Sequence, residues 1–199
     1  MKKVKIVTIA PQLTDVYFSE ELGVCSITAT LREAGYDVLL RPIIKDKEKY
    51  SEIINFNPDI IGITSYNQTI ELIYKICAKL KTELPNAFIF IGGYAATYHA
   101  QEILNECEEI DAAICGEGER AVLQLVRCIE NGEDYSDVLG VACRDGQGNV
   151  IQNLRQEYLD DLDELPFPSR DLMGSEGLTI VYSTRGCMRN CYFCCGNDF

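Results

Sequence analysis

The sequence predicts an α/β fold: a doubly wound, flavodoxin-like parallel sheet of five strands, followed by a β-hairpin and a linker. Short apolar runs alternate with segments of helical periodicity at regular intervals, which is typical of βαβ units. Several of these runs are continuously apolar, as strands buried on both faces of a parallel sheet are. Glycines and small polar residues follow the later runs, at the positions where strands end.

The predicted strands are the apolar runs themselves, and each is bounded by turn residues or by a helical pattern. Ile60–Ile63 shows the signal best, because it is short, wholly apolar and followed by the polar turn Thr64-Ser65-Tyr66-Asn67. In chain order the five predicted strands are Val4–Ile9, Tyr36–Leu40, Ile60–Ile63, Phe88–Ile91 and Asp111–Cys115.

The predicted helices follow the strands one for one. Gly35 ends the first, Pro58 follows the second, and Gly132 ends the fifth. The third and fifth carry apolar residues at helical spacing, which marks one buried face on each. In chain order the helices lie at about Ser19–Ala34, Asp46–Phe56, Ile70–Leu84, His99–Asn105 and Val122–Ile129.

A hairpin and a linker are predicted after this alternation. Val138–Arg144 and Asn149–Asn153 flank Asp145-Gly146-Gln147-Gly148, a hairpin signature. The acidic stretch from Leu154 to Met173 contains Pro166 and Pro168, which interrupt regular structure. We therefore predict a domain over residues 1–135, a hairpin and linker over 136–177, and the start of a further domain over 178–199.

Composition narrows the classes of function. The chain has 199 residues, 47% of them hydrophobic, which is enough for one sizeable core. Its net charge of −13 argues against nucleic acid or an anionic membrane as partner, because both attract basic surfaces. Ten cysteines without a signal-peptide pattern or a segment of transmembrane length predict a reducing, cytoplasmic location.

Three cysteines carry the strongest chemical signal. Cys187, Cys191 and Cys194 are spaced C-x₃-C-x₂-C directly after the strand-like run Leu178–Tyr182. Thiolates this close in sequence can each bind one iron of a [4Fe–4S] cluster, and a set of three leaves the fourth iron open. A structural zinc site is the alternative, with Cys195 as fourth ligand, but zinc sites usually pair two separated C-x₂-C knuckles. We therefore assign the three cysteines to a cluster and give Cys195 no role.

The cysteine motif, with Phe193 before its third cysteine, resembles the cluster motif of radical S-adenosylmethionine (SAM) enzymes. The order of parts resembles those members that carry an N-terminal cobalamin (B12)-binding Rossmann-like domain. The residues that carry this wider resemblance are Pro58–Ser65, Gly92-Gly93, Asp111, Gly116–Glu119, Leu162–Pro168 and Arg185–Cys194.

The resemblance implies three cofactors: a [4Fe–4S] cluster on Cys187, Cys191 and Cys194, SAM on its open iron, and cobalamin at the carboxyl edge of the sheet. It implies that the run at 178–182 is the first strand of a catalytic barrel, of which this chain holds only the start. The turns after the third, fourth and fifth strands would cradle the corrin and its nucleotide tail. The residues assigned to that cradle are Ser65, Gly92, Gly93, Gly116, Glu117 and Gly118.

The activity implied is methylation of an unactivated carbon, in which a 5′-deoxyadenosyl radical removes hydrogen and methylcobalamin supplies the methyl group. The implied partners are a small-molecule or peptide substrate and an electron donor such as flavodoxin or ferredoxin. Some relatives rearrange or cyclise their substrates instead, and that alternative stays open. We expect the 199-residue chain by itself to be inactive, because the family's remaining barrel strands lie beyond Phe199.

Two further classes compete with an enzyme. A cobalamin carrier or sensor would have no use for the cysteine motif. A response-regulator receiver would need an acidic cluster after the first strand, where Ile9-Ala10-Pro11 offers none.

The loop after the first strand, residues 10–17, lacks the Asp-x-His-x-x-Gly motif by which many B12 proteins supply a histidine to cobalt. The single histidine, His99, is expected at the start of a helix and exposed to solvent. We therefore expect cobalamin to bind with its nucleotide tail detached and without a histidine ligand.

Overall fold

The computed structural model describes residues 4–13, 21–45, 49–172, 179–189, 191–194 and 196. Within these ranges the strands form one sheet in the order β2-β1-β3-β4-β5-β6-β7. The pairs among the first five strands are parallel, and the order 2-1-3-4-5 is the predicted flavodoxin-like one. The strands are β1 Lys5–Gln12, β2 Asp37–Ile44, β3 Ile60–Thr64, β4 Phe88–Gly92, β5 Ala112–Ile114, β6 Val141–Arg144 and β7 Val150–Gln152.

Helices cover both faces of the sheet, as a doubly wound fold requires. Residues of α2, α3 and α4 share one buried apolar cluster with one face, and Leu31 of α1 shares another with α5 on the opposite face. The strands between them are buried from both sides, and Ile60, Ile61 and Ile63 of β3 are at most 1% exposed. The helices are α1 Leu22–Glu33, α2 Ser51–Phe56, α3 Ile70–Glu83, α4 Tyr94–Glu106 and α5 Glu119–Asn131.

The predicted hairpin is present, and it belongs to the sheet. β6 pairs antiparallel with β5, and β7 pairs antiparallel with β6. In the connecting turn, the Asp145 carboxylate accepts hydrogen bonds from the backbone N–H groups of Gln147 and Asn149, each at 2.8 Å. The sheet therefore has seven strands in the described ranges, where five were predicted, because β6 covers an edge of β5 that would otherwise expose unpaired backbone groups.

The fourth helix begins five residues earlier than predicted. It starts at Tyr94, immediately after Gly93, because Ala95 and Ala96 are small enough to pack fully buried beside the sheet. His99 consequently lies inside α4 and not at its start, and its φ of −132° and ψ of 25° mark a kink. His99 is exposed, as expected.

The strand expected at Leu178–Tyr182 is not observed over its described part. Leu178 lies outside the described residues, and residues 179–182 take no strand conformation. Val181 and Tyr182 are 75% and 64% exposed. A strand needs hydrogen bonds from a neighbour, and no described strand pairs with this segment.

Candidate functional site

The strand order reverses between β1 and β3, at the carboxyl edge of the sheet. β1 pairs with β3 only from Ile6 to Ile9, whereas it pairs with β2 as far as Gln12. Residues 10–12 therefore extend beyond the end of that pairing, beside the turn that follows β3. Ligands of open α/β sheets bind at such a switch point.

Ser65 joins two of the predicted ligand turns to each other. Its hydroxyl donates to the carbonyl of Gly92 at 2.7 Å and accepts from the backbone N–H of Ala96 at 3.0 Å. The residue is fully buried. Its side chain thus holds the end of β3 to the end of β4 and the start of α4, and its predicted contact with a ligand remains a prediction.

Gly92 and Gly93 have different surroundings. Gly93 has a φ of +93°, and a Cβ there would lie 2.9 Å from the carbonyl oxygen of Ser65. Only glycine fits that position, whatever binds at the edge. At Gly92 the nearest atom to an added Cβ is Cβ of Ile114, at 3.8 Å, which is ordinary contact. Gly92 is therefore the one of the pair whose role can be tested without disturbing the turn.

The two glycines of the β5–α5 turn both lie close to side chains from elsewhere in the chain. Gly116 has a φ of +84°, and a Cβ there would lie 3.4 Å from Cδ of Arg155. A Cβ at Gly118 would lie 2.9 Å from Cδ1 of Ile27. Gly118 therefore serves the packing of α1 against this turn. Neither glycine is shown to contact a ligand, and their predicted roles stay predictions.

The glutamates of the same turn bind Arg185, which directly precedes the cysteine motif. Nη2 of Arg185 lies 2.6 Å from Oε1 of Glu119, and Nη1 lies 3.2 Å from Oε2 of Glu119 and 3.3 Å from Oε1 of Glu117. Ser26 of α1 donates to Glu119 at 2.7 Å, and the N–H of Leu159 donates to Glu117 at 2.8 Å. The carboxylate of Glu117, predicted to contact cofactor, thus has partners within the protein.

Glu119 is buried, with 4% of its surface exposed. Burial by itself would raise the pKa of this carboxyl, but the hydrogen bonds and positive charge of Arg185, helped by Ser26, hold the pKa below its ordinary value. Glu119 is therefore an ionised group at neutral pH with a dedicated counter-ion. Sequence reasoning placed Glu119 in the turn motif but gave it no role.

The three motif cysteines are exposed. The N–H of Arg189 donates to Sγ of Cys187 at 3.4 Å, and the N–H of Cys194 donates to the carbonyl of Cys191 at 3.0 Å. The described residues, which include all three cysteines, contain no set of three metal-binding side chains gathered to hold an ion. Their ligand role remains a prediction from the motif, and Cys195 lies outside the described residues.

Gln12, at the end of β1, was not predicted as a site residue. It is 7% exposed, and neither its amide nitrogen nor its amide oxygen has a hydrogen-bond partner in the part of the chain that the structure describes. Buried amides are nearly always paired in proteins, so this side chain is suited to a ligand. The available signal was a glutamine that closes an apolar strand at the switch point.

Two tyrosines at the same edge were also missed. Tyr66, after β3, stacks on Tyr94, the first residue of α4, with ring centroids 6.0 Å apart. The Tyr66 hydroxyl donates to Glu21 at 2.9 Å, and burial raises the pKa of Glu21. Tyr94 is 41% exposed, which leaves an aromatic face next to the Gly92-Gly93 turn.

His99 lines an open cavity of about 240 Å³ between α3 and α4. Within the described ranges, no helix is long and apolar enough to cross a bilayer.

The B12-binding domain family matches residues 13–126. This chain belongs to that family. The match covers the strands and turns from the end of β1 to α5, and it confirms the predicted resemblance and the predicted class of fold.

Known proteins extend the likeness past the family domain. An uncharacterized methyltransferase of Pyrococcus horikoshii is 29% identical over 184 residues, 87% of this chain and 40% of that protein. The anaerobic magnesium-protoporphyrin IX monomethyl ester cyclase of Synechocystis sp. is 28% identical over 186 residues, 87% of this chain and 37% of the cyclase. The chain thus spans about two fifths of the length of these relatives.

The fold matches a solved structure of the cobalamin-dependent SAM radical enzyme OxsB, with aqua-cobalamin and SAM bound. The TM-score is 0.71 with 18% identity, over 86% of this chain and 25% of that one. At this identity the likeness concerns the fold alone.

Proposed function

We propose that this chain is the N-terminal part of a cobalamin-dependent radical SAM enzyme that methylates an unactivated carbon. The observation that carries the proposal is the three-cysteine motif, which begins two residues after Arg185. That arginine is bound to the β5–α5 turn of a B12-binding domain. One chain thus brings a predicted cluster loop to the edge at which its family binds cobalamin.

The edge fits a corrin in three respects. Gln12 presents a buried amide that has no hydrogen-bond partner among the described residues and can exchange hydrogen bonds with the amide side chains of a corrin. At Gly92, Ile114 is the one described residue within 4 Å of an added Cβ, so a ligand can approach the Cα closely. Tyr94 adds a flat apolar face beside it. These three residues are our candidates for direct contact.

Cys187, Cys191 and Cys194 would hold the [4Fe–4S] cluster, and the chain offers backbone donors to them, as the N–H of Arg189 shows. Hydrogen bonds to sulfur tune a cluster's potential. When bound, the cluster and SAM supply a 5′-deoxyadenosyl radical and cobalamin supplies a methyl group. The protein's part is to place these groups and to exclude water from them.

The proposal includes a small-molecule or peptide substrate, a flavodoxin or ferredoxin as electron donor, and a cytoplasmic setting. The net charge of −13 supports partners other than nucleic acid and membrane. Radical rearrangement or cyclisation is the second candidate reaction, and the likeness to the Synechocystis cyclase favours it. A carrier or sensor that only binds cobalamin is the non-catalytic alternative.

The test is anaerobic reconstitution of the full gene product with iron and sulfide, with and without cobalamin. We expect about four irons per chain, a number set by the cubane cluster. Ala at Cys187, Cys191 or Cys194 should abolish the cluster, whereas Cys195→Ala and Cys128→Ala should keep it. Retention of iron after loss of any of the three would refute the ligand assignment.

Incubation of the reconstituted protein with SAM and a reductant should yield 5′-deoxyadenosine. Cobalamin binding without a cluster or SAM cleavage would instead favour the carrier. Methylated and cyclised products are distinguished by mass once a substrate is found.

A further inference from the structure

Among the ion pairs of the described residues, those of Arg185 with Glu119 and Glu117 are the most buried. They join the cysteine loop, residues 185–194, to the B12-binding domain. The carboxylate side chains of Glu119 and Glu117 are 5% and 10% exposed, and the Arg185 side chain is 29% exposed. By contrast, Arg120, the residue after Glu119 on α5, pairs with Glu164 of the segment after β7, and these two side chains are 51% and 63% exposed. Exposed pairs of that kind contribute little to structure.

The three contacts of Arg185 fix its guanidinium in more than one direction. Two parallel N–H···O bonds to Glu119 define the plane of the guanidinium, and the contact with Glu117 adds a third point. Ser26 and Leu159 hold the two carboxylates in turn. The pair is therefore built into α1, the β5–α5 turn and the segment after β7, and not formed by two free side chains.

The geometry limits where the first cysteine can go. Cys187 follows Arg185 by two residues, and two residues span at most about 7 Å. Gly186 between them has a φ of +76°, so the chain turns immediately after the arginine. Wherever the rest of the loop lies, the backbone of its first cysteine stays within that span of the Arg185 backbone, whose side chain is held on the β5–α5 turn.

We infer that Arg185 is a positioning residue that docks the cysteine loop on Glu117 and Glu119, and so sets the distance between cluster and cobalamin. The inference rests on the proposed function, because it needs both cofactors. The position of two reacting centres affects the reaction rate strongly, because a small displacement lowers the rate by a large factor. The effect of Arg185 on the rate can therefore exceed what the strength of its contacts alone suggests. Arg185 acts through the loop and touches neither substrate nor reacting atoms.

The experiment uses the full gene product, reconstituted with cluster and cobalamin and reduced until both centres are paramagnetic. Electron paramagnetic resonance then reports the spin–spin interaction between cobalt(II) and the reduced cluster, which falls steeply with distance. Arg185→Met should weaken or spread this interaction while iron and cobalamin contents stay unchanged. Arg120→Met is the matched control and should leave it as in the wild type.

Arg185→Lys separates charge from geometry. A lysine keeps the positive charge but cannot bind two carboxylates with a planar fork, so we expect partial recovery of the interaction. If Arg185→Met alters the circular dichroism spectrum of the protein, Arg185→Lys replaces it in the measurement of the spin–spin interaction. An interaction unchanged in both variants, with both cofactors loaded, would overturn the inference.

Hydrogen exchange of the cofactor-free chain tests docking independently of the proposed function. In Arg185→Met, the amides of residues 186–189 should exchange roughly tenfold faster, as loss of a charge-assisted contact predicts. Unchanged exchange would overturn docking. Failure of the wild type to load either cofactor, with faster exchange in the variant, would refute the proposed function and leave docking intact.

Discussion

The Ser65 hydroxyl donates to the carbonyl oxygen of Gly92 at 2.7 Å, and this bond ties together the ends of two neighbouring parallel strands. The same hydroxyl accepts from Ala96, so the serine is satisfied in both directions. The two bonds therefore fix the carboxyl ends of β3 and β4 and the start of α4 relative to one another, and the hydroxyl predicted to contact a ligand is engaged within the protein.

Ser65→Ala should lower the free energy of unfolding by about 1–3 kcal/mol, because it leaves the Ala96 N–H without its partner. Cobalamin affinity of the folded variant should change little. Urea unfolding and a cobalamin titration measure the two effects. The control is Thr82→Ala, which removes an exposed hydroxyl bonded to Ala78 and should be nearly neutral. A stable Ser65→Ala variant that no longer binds cobalamin would show that Ser65 contacts cobalamin directly.

Gly92→Ala and Gly93→Ala should differ in their effects on stability and on cobalamin affinity. At Gly93 the positive φ and the 2.9 Å approach to Ser65 predict a loss of roughly 1–3 kcal/mol in the free energy of unfolding. At Gly92 the added methyl fits, so the fold should persist while cobalamin affinity falls. Gly93→Val should weaken cobalamin binding strongly, but only by distorting the turn. Equal unfolding energies for the two alanine variants would contradict this division.

Gln12→Leu should affect stability and binding in opposite directions. It removes a buried amide that has no partner in the described part of the chain, so the free energy of unfolding should rise by about 1 kcal/mol. It also removes the proposed contact with cobalamin, so affinity should fall. The control is Gln147→Leu, at an exposed position in the turn between β6 and β7. A Gln12→Leu variant that is destabilised would show that the amide has a partner in the folded protein.

Stability should depend on pH through Glu119. The pKa of this group is lower in the folded than in the unfolded protein, so its stabilisation is complete above the ordinary glutamate pKa. It is lost as the pH falls through the lowered folded value. The stability difference between wild type and Glu119→Gln should thus be constant near neutrality and shrink in acid. A difference that grows in acid would contradict the sign of the shift.

Glu21 contributes with the opposite sign, because burial raises its pKa. Its contribution is present below the unfolded pKa and is lost as the pH rises through the folded one. Measuring the free energy of unfolding of Glu21→Gln both below and above the glutamate pKa separates the contribution of Glu21 from that of Glu119.

The sequence predicted the five strands of the parallel sheet and the hairpin, because each of these elements depends on local signals. Ile60–Ile63 is apolar enough to be buried on both faces, and Asp145–Gly148 specifies its turn by itself. The pairing of β6 with β5 was not predicted, since it depends on which edge is free in three dimensions. The helix start at Tyr94 was missed because the glycine pair before it is also typical of a longer loop.

The turn residues predicted for the candidate site lie at the carboxyl edge of the sheet, and their contacts with a ligand stay predictions. Sequence patterns show that glycines follow strands, but not that Ile27 fills the space at Gly118. The partnership of Glu119 with Arg185 spans 66 positions and has no local signal. Gln12 looked like part of a loop, and only its burial marks it as a candidate.

Equilibrium titration of the wild-type chain and His99→Ala with cobalamin, followed by visible absorption, tests the central claim most directly. We predict saturable one-to-one binding with the spectrum of cobalamin whose nucleotide tail is detached and whose cobalt has no histidine ligand. That spectrum should be identical in His99→Ala, while Gln12→Leu and Gly92→Ala bind more weakly. No saturable binding, or a histidine-ligated spectrum that disappears in His99→Ala, would contradict the account.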